Sequence, residues 1–176
     1  MNGNNQIHTM DHAWHKPVHA HSFDVWSSLS ANALRKTFES FNEIYLLRKH
    51  RSLIRGKDFL EIGCATGELY RYINNVFPDF RYRGLDISSV AVARALEKYP
   101  SGSFSVCENN LSDVTNLHEK PNVLFCRDVL QHQADPYAYL DSLVTIPNEA
   151  VVLRIRTRDY GASVLKPELS CQWHYG

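Results

Sequence analysis

The sequence predicts an α/β protein with a doubly wound, mainly parallel sheet and helices on both of its faces. Three observations support this fold class. After residue 56, short apolar runs alternate with helix-like segments, which is the pattern of β-α-β units. Two glycines, Gly63 and Gly67, lie between the first run and the first helical segment. An acid, Asp86, ends the second run, where parallel strands direct their carboxyl ends toward a ligand crevice.

The composition favours one structural domain and excludes several kinds of partner. The chain has 176 residues, 44% of them hydrophobic, which is enough for one substantial core. Lys plus Arg and Asp plus Glu both number 19, so no overall field attracts nucleic acid or an anionic membrane. No run of about 18 apolar residues and no secretory signal is found, so we expect a cytoplasmic protein without a membrane partner.

The first 55 residues are predicted to form an N-terminal arm and cap helices, and residues 56–176 the main domain. Residues 1–22 have no apolar period and are expected to lie over the ligand mouth, with Trp14 and Trp26 as contacts. Across residues 27–53 the apolar period predicts one amphipathic helix, and two helices broken near residues 30–32 fit as well.

Five of the nine histidines lie in the arm, and they are His8, His12, His15, His19 and His21. Imidazoles spaced four apart on a helix can share a metal ion, but Pro17 interrupts any helix that would align these side chains. The four cysteines are far apart in the sequence and form no C-x-x-C pair. We therefore predict no metal site.

The elements of the main domain are predicted from segments with strand-like apolar runs that alternate with segments of helical period. Strands are predicted at residues 58–62, 81–86, 103–108, 123–127 and 150–156. Helices are predicted at residues 67–76, 90–98 and 136–143, with a poorer helical segment at 112–118. No clear strand pair follows residue 156, so the sheet is expected to be small or to lack the last strands of a larger sheet.

The loop after the first strand has the chemistry of a ligand cradle. Glycines at 63 and 67 let the backbone turn sharply and let a ligand approach it closely, and Thr66 is expected to cap the following helix. Glu61 precedes the loop, and Asp86 follows after one loop, one helix and one returning strand. A carboxylate at that second position can accept two strong hydrogen bonds from a ribose diol.

Four segments resemble, in order and spacing, the successive motifs of the class I S-adenosylmethionine-dependent methyltransferases, whose fold is Rossmann-like. These segments are LEIGCATGEL, YRGLDISSVAVARA, FSVCENNL and NVLFCRDVLQHQADP. The resemblance covers roughly residues 58–156 and implies an enzyme that uses S-adenosylmethionine. The chain departs from the family pattern at Ala65, where many members have glycine, and at Glu108, where aspartate is commoner.

The resemblance also implies which residues bind the cofactor. The loop would wrap the methionine part, with Glu61 holding the loop and helping to place the amino group. Asp86 would take the ribose hydroxyls and Ile87 would pack on the adenine. Glu108 with Asn109, at the end of the third strand, would meet the exocyclic amine and ring edge of the adenine. The complete implied set is Glu61, Gly63, Cys64, Ala65, Gly67, Asp86, Ile87, Glu108, Asn109, Cys126 and Arg127.

His132 and Asp128, which both follow the fourth strand, are candidate general bases. Each could remove a proton from an oxygen acceptor, whereas His132 could equally cap the turn before Asp135. Transfer of a methyl group from a sulfonium is a direct displacement that needs alignment more than reactive groups. The balanced charge and small size favour a small-molecule acceptor.

Two other functions are considered. A nicotinamide (NAD) dehydrogenase also uses a glycine loop, but its pattern read from Gly63 requires glycines where this chain has Ala65 and Glu68. The second is a non-catalytic or truncated domain that keeps the fold and binds the cofactor, since the last strands are not found and fold alone does not imply function.

Overall fold

The computed structural model describes Trp26 and residues 28–107, 111, 114, 119–133 and 135–155. Within these residues, five parallel strands form one sheet in the order β3-β2-β1-β4-β5. The strands are β1 (Asp58–Ile62), β2 (Arg81–Asp86), β3 (Phe104–Val106), β4 (Val123–Arg127) and β5 (Ala150–Arg154). The predicted α/β class, with a doubly wound parallel sheet, is confirmed.

The helices are α1 (Ala31–Glu39), α2 (Asn42–Lys49), α3 (Glu68–Val76), α4 (Ser89–Lys98) and α5 (Pro136–Thr145), with short 3-10 helices at Arg51–Leu53 and Leu130–His132. They cover both faces of the sheet. On one face, Phe59 and Phe125 pack in a cluster with residues of α1 to α4. On the other face, Leu60 and Leu124 pack beneath α5. Alternate residues of each central strand therefore enter different halves of the core.

The predicted strands at residues 58–62, 81–86 and 123–127 have the observed bounds, whereas the outer strands are shorter. Strand β3 ends at Val106, and β5 ends at Arg154 rather than at residue 156. The predicted ends of both outer strands, at Glu108 and residue 156, lie outside the described residues. So do most of the predicted helical segment at 112–118, the arm histidines and the segment 156–176.

The prediction of one helix over residues 27–53 is wrong, because two helices meet at Ser40 and Phe41. The alternative break near residues 30–32 marks only the start of α1, where the Ser30 side chain accepts from the backbone N–H of Ala33 at 3.2 Å. Phe41 is extended and its ring packs edge-on against Phe38 at 6.0 Å. The apolar spacing continues across this break, so the period alone could not locate it.

Buried charges attach α2 to the ends of β4 and β5. Glu43 is only 6% exposed, and its Oε1 lies 3.1 Å from Arg127 Nε and 3.6 Å from Arg154 Nη1. The Arg127 guanidinium also lies 3.9 Å from the centre of the Phe41 ring. One carboxylate thus joins the cap helices to two neighbouring strands. The domain boundary between residues 55 and 56 remains a prediction.

Replacing Glu43 should destabilise the fold strongly. Glu43→Gln removes the more buried of the two carboxylates that Arg127 and Arg154 share, the other being Asp128, and breaking such a buried pair costs on the order of 3 kcal/mol. The free energy of unfolding from urea denaturation measures this loss. Glu39→Gln is the matched control, since Glu39 pairs with Arg35 and Arg48, whose side chains are 61% and 46% exposed. The control should lose less than about 1 kcal/mol, and equal losses would contradict the anchoring role.

Candidate functional site

A cleft lies beside the carboxyl ends of β1 and β4. Its walls combine acidic, aromatic and backbone groups from the loop after β1, from α1 and from α3. The lining residues are Trp26, Phe38, Glu61, Gly63, Cys64, Ala65, Thr66, Glu68, Leu69, Phe125, Arg127 and Asp128. Four of the five predicted site residues from the first motif therefore line one cleft, as does Trp26, which was expected as a contact at the ligand mouth. Gly67 and the predicted ribose-binding Asp86 are not among the lining residues.

The loop after β1 requires both of its glycines. Gly63 and Gly67 have φ of 80° and 81°, in the left-handed region that favours glycine. A side chain at Gly63 would overlap Val129, and a Cβ at Gly67 would lie 2.7 Å from the Phe104 ring. Ala65 is also left-handed, with a φ of 46°, although it carries a Cβ. Three left-handed residues in five make the loop a tight cradle.

Backbone hydrogen bonds attach this loop to the end of β2. The N–H groups of Gly63 and Cys64 donate to the carbonyl of Leu85 at 2.7 Å and 3.0 Å. The N–H of Ala65 donates to Asp86 Oδ2 at 2.8 Å, and Asp86 Oδ1 accepts from the N–H of Ser88, also at 2.8 Å. Asp86 therefore holds the loop together, a role that the sequence analysis missed.

The prediction that Thr66 caps α3 is wrong. The residue that borders the helix is Gly67, which supplies no side-chain cap, and Thr66 lies one residue too early for that position. The Thr66 hydroxyl instead lies 3.5 Å from Glu68 Oε1. Glu68 also accepts from Lys98 Nζ at 2.6 Å and from the Tyr99 hydroxyl at 2.9 Å. An acid in the first turn of α3 suits the positive end of the helix dipole.

Glu61 is a buried acid at the floor of the cleft. It is 6% exposed, and its Oε2 accepts a short hydrogen bond from the Tyr82 hydroxyl. The pKa of Glu61 is raised to about 8, chiefly by burial and with a smaller contribution from Asp86, while the hydrogen bond from Tyr82 and the charge of Arg127 act in the opposite direction. At neutral pH the group is therefore mostly an uncharged carboxylic acid.

The two cysteines predicted to bind the cofactor occupy different places. Cys64 lines the cleft, whereas Cys126 is fully buried in the cluster beneath α5 and is not among the lining residues. Burial raises the pKa of the Cys126 thiol to about 12 and that of Cys64 well above its usual value. Both groups are therefore protonated thiols at neutral pH and have no nucleophilic character.

Arg127 and Asp128 line the cleft but are bound to other charges. Arg127 Nε lies 3.1 Å from Glu43 and 3.5 Å from Asp128 Oδ2, and burial together with Arg154 lowers the Arg127 pKa. Asp128 is left-handed, with a φ of 57°, and its Oδ2 lies 3.7 Å from Arg154 Nη1. The backbone turn directs Asp128 back toward β5, where its N–H donates to the Arg154 carbonyl at 3.0 Å.

Of the remaining predicted residues, those that the structure describes do not line the cleft. His132 ends the 3-10 helix Leu130–His132 and is not among the lining residues. Asp135 caps α5, since its Oδ1 accepts from the N–H groups of Tyr137 and Ala138 at 3.1 Å and 3.0 Å. Ile87 is half-buried after β2. Glu108 and Asn109 lie outside the described residues.

The aromatic wall of the cleft was only partly foreseen. Phe38 of α1 and Phe125 of β4 line it, and neither was singled out from the sequence. Phe125 lies two residues before Arg127 in β4, so their side chains point to the same face of the sheet, and strand alternation could have placed Phe125 at the cleft.

Across the described ranges, no three His, Cys, Asp or Glu side chains come together as a metal site requires. No described helix is long and apolar enough to cross a membrane.

Glu61 should make the stability of the protein fall as the pH rises. Between its ordinary pKa of 4.5 and the raised value of about 8, the folded state keeps a proton that the unfolded state has lost. The free energy of unfolding then falls by up to about 1.4 kcal/mol per pH unit in this window. In Glu61→Gln this contribution is absent, so the difference between the two proteins, measured by urea denaturation, should change with pH. Parallel profiles would contradict the raised pKa.

Comparison with known proteins agrees with this geometry. Residues 60–146 match the model of a family described as a methyltransferase domain. No curated protein sequence matches the chain significantly. Among solved structures, the plantazolicin methyltransferase BamL, in complex with a triazolic desmethylPZN analogue and S-adenosylhomocysteine, is similar with a TM-score of 0.59 and 20% identity. The match covers 80% of this chain and 52% of BamL.

A second similar structure is the magnesium protoporphyrin IX methyltransferase ChlM from Synechocystis PCC 6803 with bound S-adenosylmethionine. Its TM-score is 0.58 at 19% identity, and the match covers 85% of this chain and 77% of ChlM. The chain thus spans about half the length of the plantazolicin enzyme and a larger share of ChlM. Residues 60–146 are thus similar to a methyltransferase domain, and the chain shares the Rossmann-like fold of these two solved methyltransferase structures.

Proposed function

We propose that this chain binds S-adenosylmethionine in the cleft beside β1 and transfers its methyl group to a small-molecule acceptor. The observation that carries the proposal is the glycine loop attached to Asp86 at the carboxyl edge of a parallel sheet, within the segment that matches the methyltransferase family. In sheets of this kind ligands bind in the crevice outside the carboxyl ends of the strands.

The groups around the loop fit the chemistry of the cofactor. The loop leads into the N-terminus of α3, where backbone N–H groups suit a carboxylate. Glu61 lines the cleft next to the loop and suits the ammonium of the methionine part. Asp86, whose carboxylate also binds backbone N–H groups of the loop and of Ser88, suits a ribose diol because each carboxylate oxygen can accept more than one hydrogen bond. The family resemblance likewise assigns the loop to the methionine part, Glu61 to the amino group and Asp86 to the ribose.

The cleft walls suit a displacement reaction. Trp26, Phe38 and Phe125 supply apolar surface that excludes water around the reacting atoms, and water exclusion strengthens electrostatic interactions in the site. An acceptor atom attacks the methyl carbon while the carbon to sulfur bond breaks, which leaves S-adenosylhomocysteine. For an oxygen acceptor, Asp128 is positioned at the cleft to take the proton. His132 remains the second candidate for that role.

A small-molecule acceptor and a cytoplasmic location are part of the proposal. Supporting the first, the formal charge is zero, and the similar BamL binds a triazolic desmethylPZN analogue while ChlM is named for magnesium protoporphyrin IX. Supporting the second, the three cysteines within the described residues are buried free thiols, which suit a reducing compartment.

Ligand titration tests the cofactor directly. We expect S-adenosylhomocysteine to raise the melting temperature of the purified chain and NAD to leave it unchanged, because a ligand that binds only the folded state stabilises it. Thermal shift and calorimetry give the measurement. Stabilisation by NAD alone would favour a dehydrogenase. Binding of S-adenosylhomocysteine without methyl transfer to any of a broad panel of acceptors would favour a non-catalytic domain.

Asp86→Ala should weaken binding of S-adenosylhomocysteine by on the order of 2 to 3 kcal/mol, the scale of hydrogen bonds to a charged group. Asp86→Asn, which keeps one acceptor oxygen for the Ala65 N–H, should lose less. Calorimetry measures both, and circular dichroism checks that each variant is folded. The control is Asp141→Ala on the exposed side of α5, which should bind like the wild type. Unchanged affinity in Asp86→Ala would remove Asp86 from the site.

A further inference from the structure

We propose that Tyr82 is a positioning residue for the amino end of the cofactor, acting through Glu61, and that Glu61 releases a proton when that cationic end binds. The inference rests on the proposed function and adds to it a residue that is not in the implied cofactor-binding set, together with a proton linkage.

The hydroxyl of Tyr82 is held in place because aromatic rings from three neighbouring elements pack against its own ring. Tyr82 lies on β2, opposite Phe59 of β1, and the two rings stack at 5.9 Å with an angle of 17° between their planes. Tyr70 of α3 and Phe104 of β3 approach the same ring at 5.3 Å and 5.9 Å. The side chain is 7% exposed. A ring fixed from three elements presents its hydroxyl at one place.

That place is the carboxyl group of Glu61. Gly84 lies opposite Glu61 in the register of β1 and β2, and a Cβ there would come within 2.9 Å of the Tyr82 oxygen. The missing side chain thus leaves the space in which the hydroxyl donates to Glu61 Oε2. Tyr82 is the hydrogen-bond partner that the described residues give to this carboxyl group. With Oε2 occupied, Oε1 is the oxygen available to a ligand in the cleft that Glu61 lines.

The protein surroundings of Glu61 on balance oppose its ionisation. Burial has the largest effect, and the group remains mostly protonated at neutral pH. The titratable and charged groups that face it, from the loop, β2 and β4, are Cys64, Tyr82, Asp86, Cys126 and Arg127. Of these, Tyr82 and Arg127 favour the carboxylate, and Arg127 already pairs with Glu43 and Asp128.

A cationic ligand group changes this balance. An ammonium next to Glu61 favours the carboxylate, so the carboxyl O–H bond breaks, the proton goes to solvent, and the ammonium keeps its own protons. The donor hydroxyl of Tyr82 stabilises the same charged form. Tyr82 therefore lowers the cost of ionising Glu61 and fixes the direction of the resulting charge.

The test is calorimetric titration of the full chain with S-adenosylhomocysteine from pH 6 to pH 8.5, in pairs of buffers that differ in ionisation enthalpy. The wild type should release nearly one proton per ligand near pH 7, and its affinity should rise roughly tenfold from pH 6 to pH 7. If loss of the hydroxyl raises the Glu61 pKa by about one unit, Tyr82→Phe should bind about tenfold more weakly at pH 6.5 but only about threefold more weakly at pH 8.5.

Two control variants separate this role from a structural one. Tyr70→Phe removes a hydroxyl from the same aromatic cluster, but that hydroxyl bonds to Ser101 at 3.1 Å, so the variant should behave as the wild type. In Glu61→Gln the proton release should vanish, and adding Tyr82→Phe should introduce no pH-dependent loss. A Tyr82→Phe loss of equal size at both pH values, with binding intact in the wild type, would overturn this inference alone. No binding of S-adenosylhomocysteine by the wild type would overturn the proposed function, and the inference with it.

Discussion

The attachment of the glycine loop to the end of β2 is the interaction on which the rest of the site depends. Three successive N–H groups of the loop donate to Leu85 and Asp86, so the end of one strand determines the shape of the loop that follows its neighbour. This attachment is possible only because Gly63 and Gly67 adopt left-handed backbone conformations that most residues avoid. The cleft, the start of α3 and the position of Glu61 beside the loop all follow from it.

Two buried glutamates on the same face of the sheet have different roles because their surroundings differ. Glu43 lies between two guanidiniums and serves as an ionic bridge from α2 to β4 and β5. Glu61 has a tyrosine hydroxyl as its hydrogen-bond donor, and burial raises its pKa to about 8. The first charge is compensated inside the fold and stabilises the cap. The second remains mostly protonated, and a cationic group beside it would favour its carboxylate.

The cap helices contribute to the cleft as well as to the core. Phe38 of α1 lines the cleft while packing at 5.2 Å from Tyr72 of α3, and Trp26 lies 5.8 Å from Phe38. The same aromatic group receives the Arg127 guanidinium, 5.6 Å from Trp26. Residues far apart in the chain therefore form one wall, and the bridge through Glu43 keeps that wall against the sheet.

The sequence by itself determined the parallel α/β fold, the glycine loop and the two acids Glu61 and Asp86, because local periodicity, glycine geometry and order along the chain carry that information. It did not show the break at Phe41, since the apolar period continues across it, nor that Asp86 binds the loop. Only the tertiary structure decided that Cys126 points away from the cleft, that Arg127 is paired with Glu43, and that Tyr82 meets Glu61. Each of these contacts depends on strand register and on packing between segments distant in sequence.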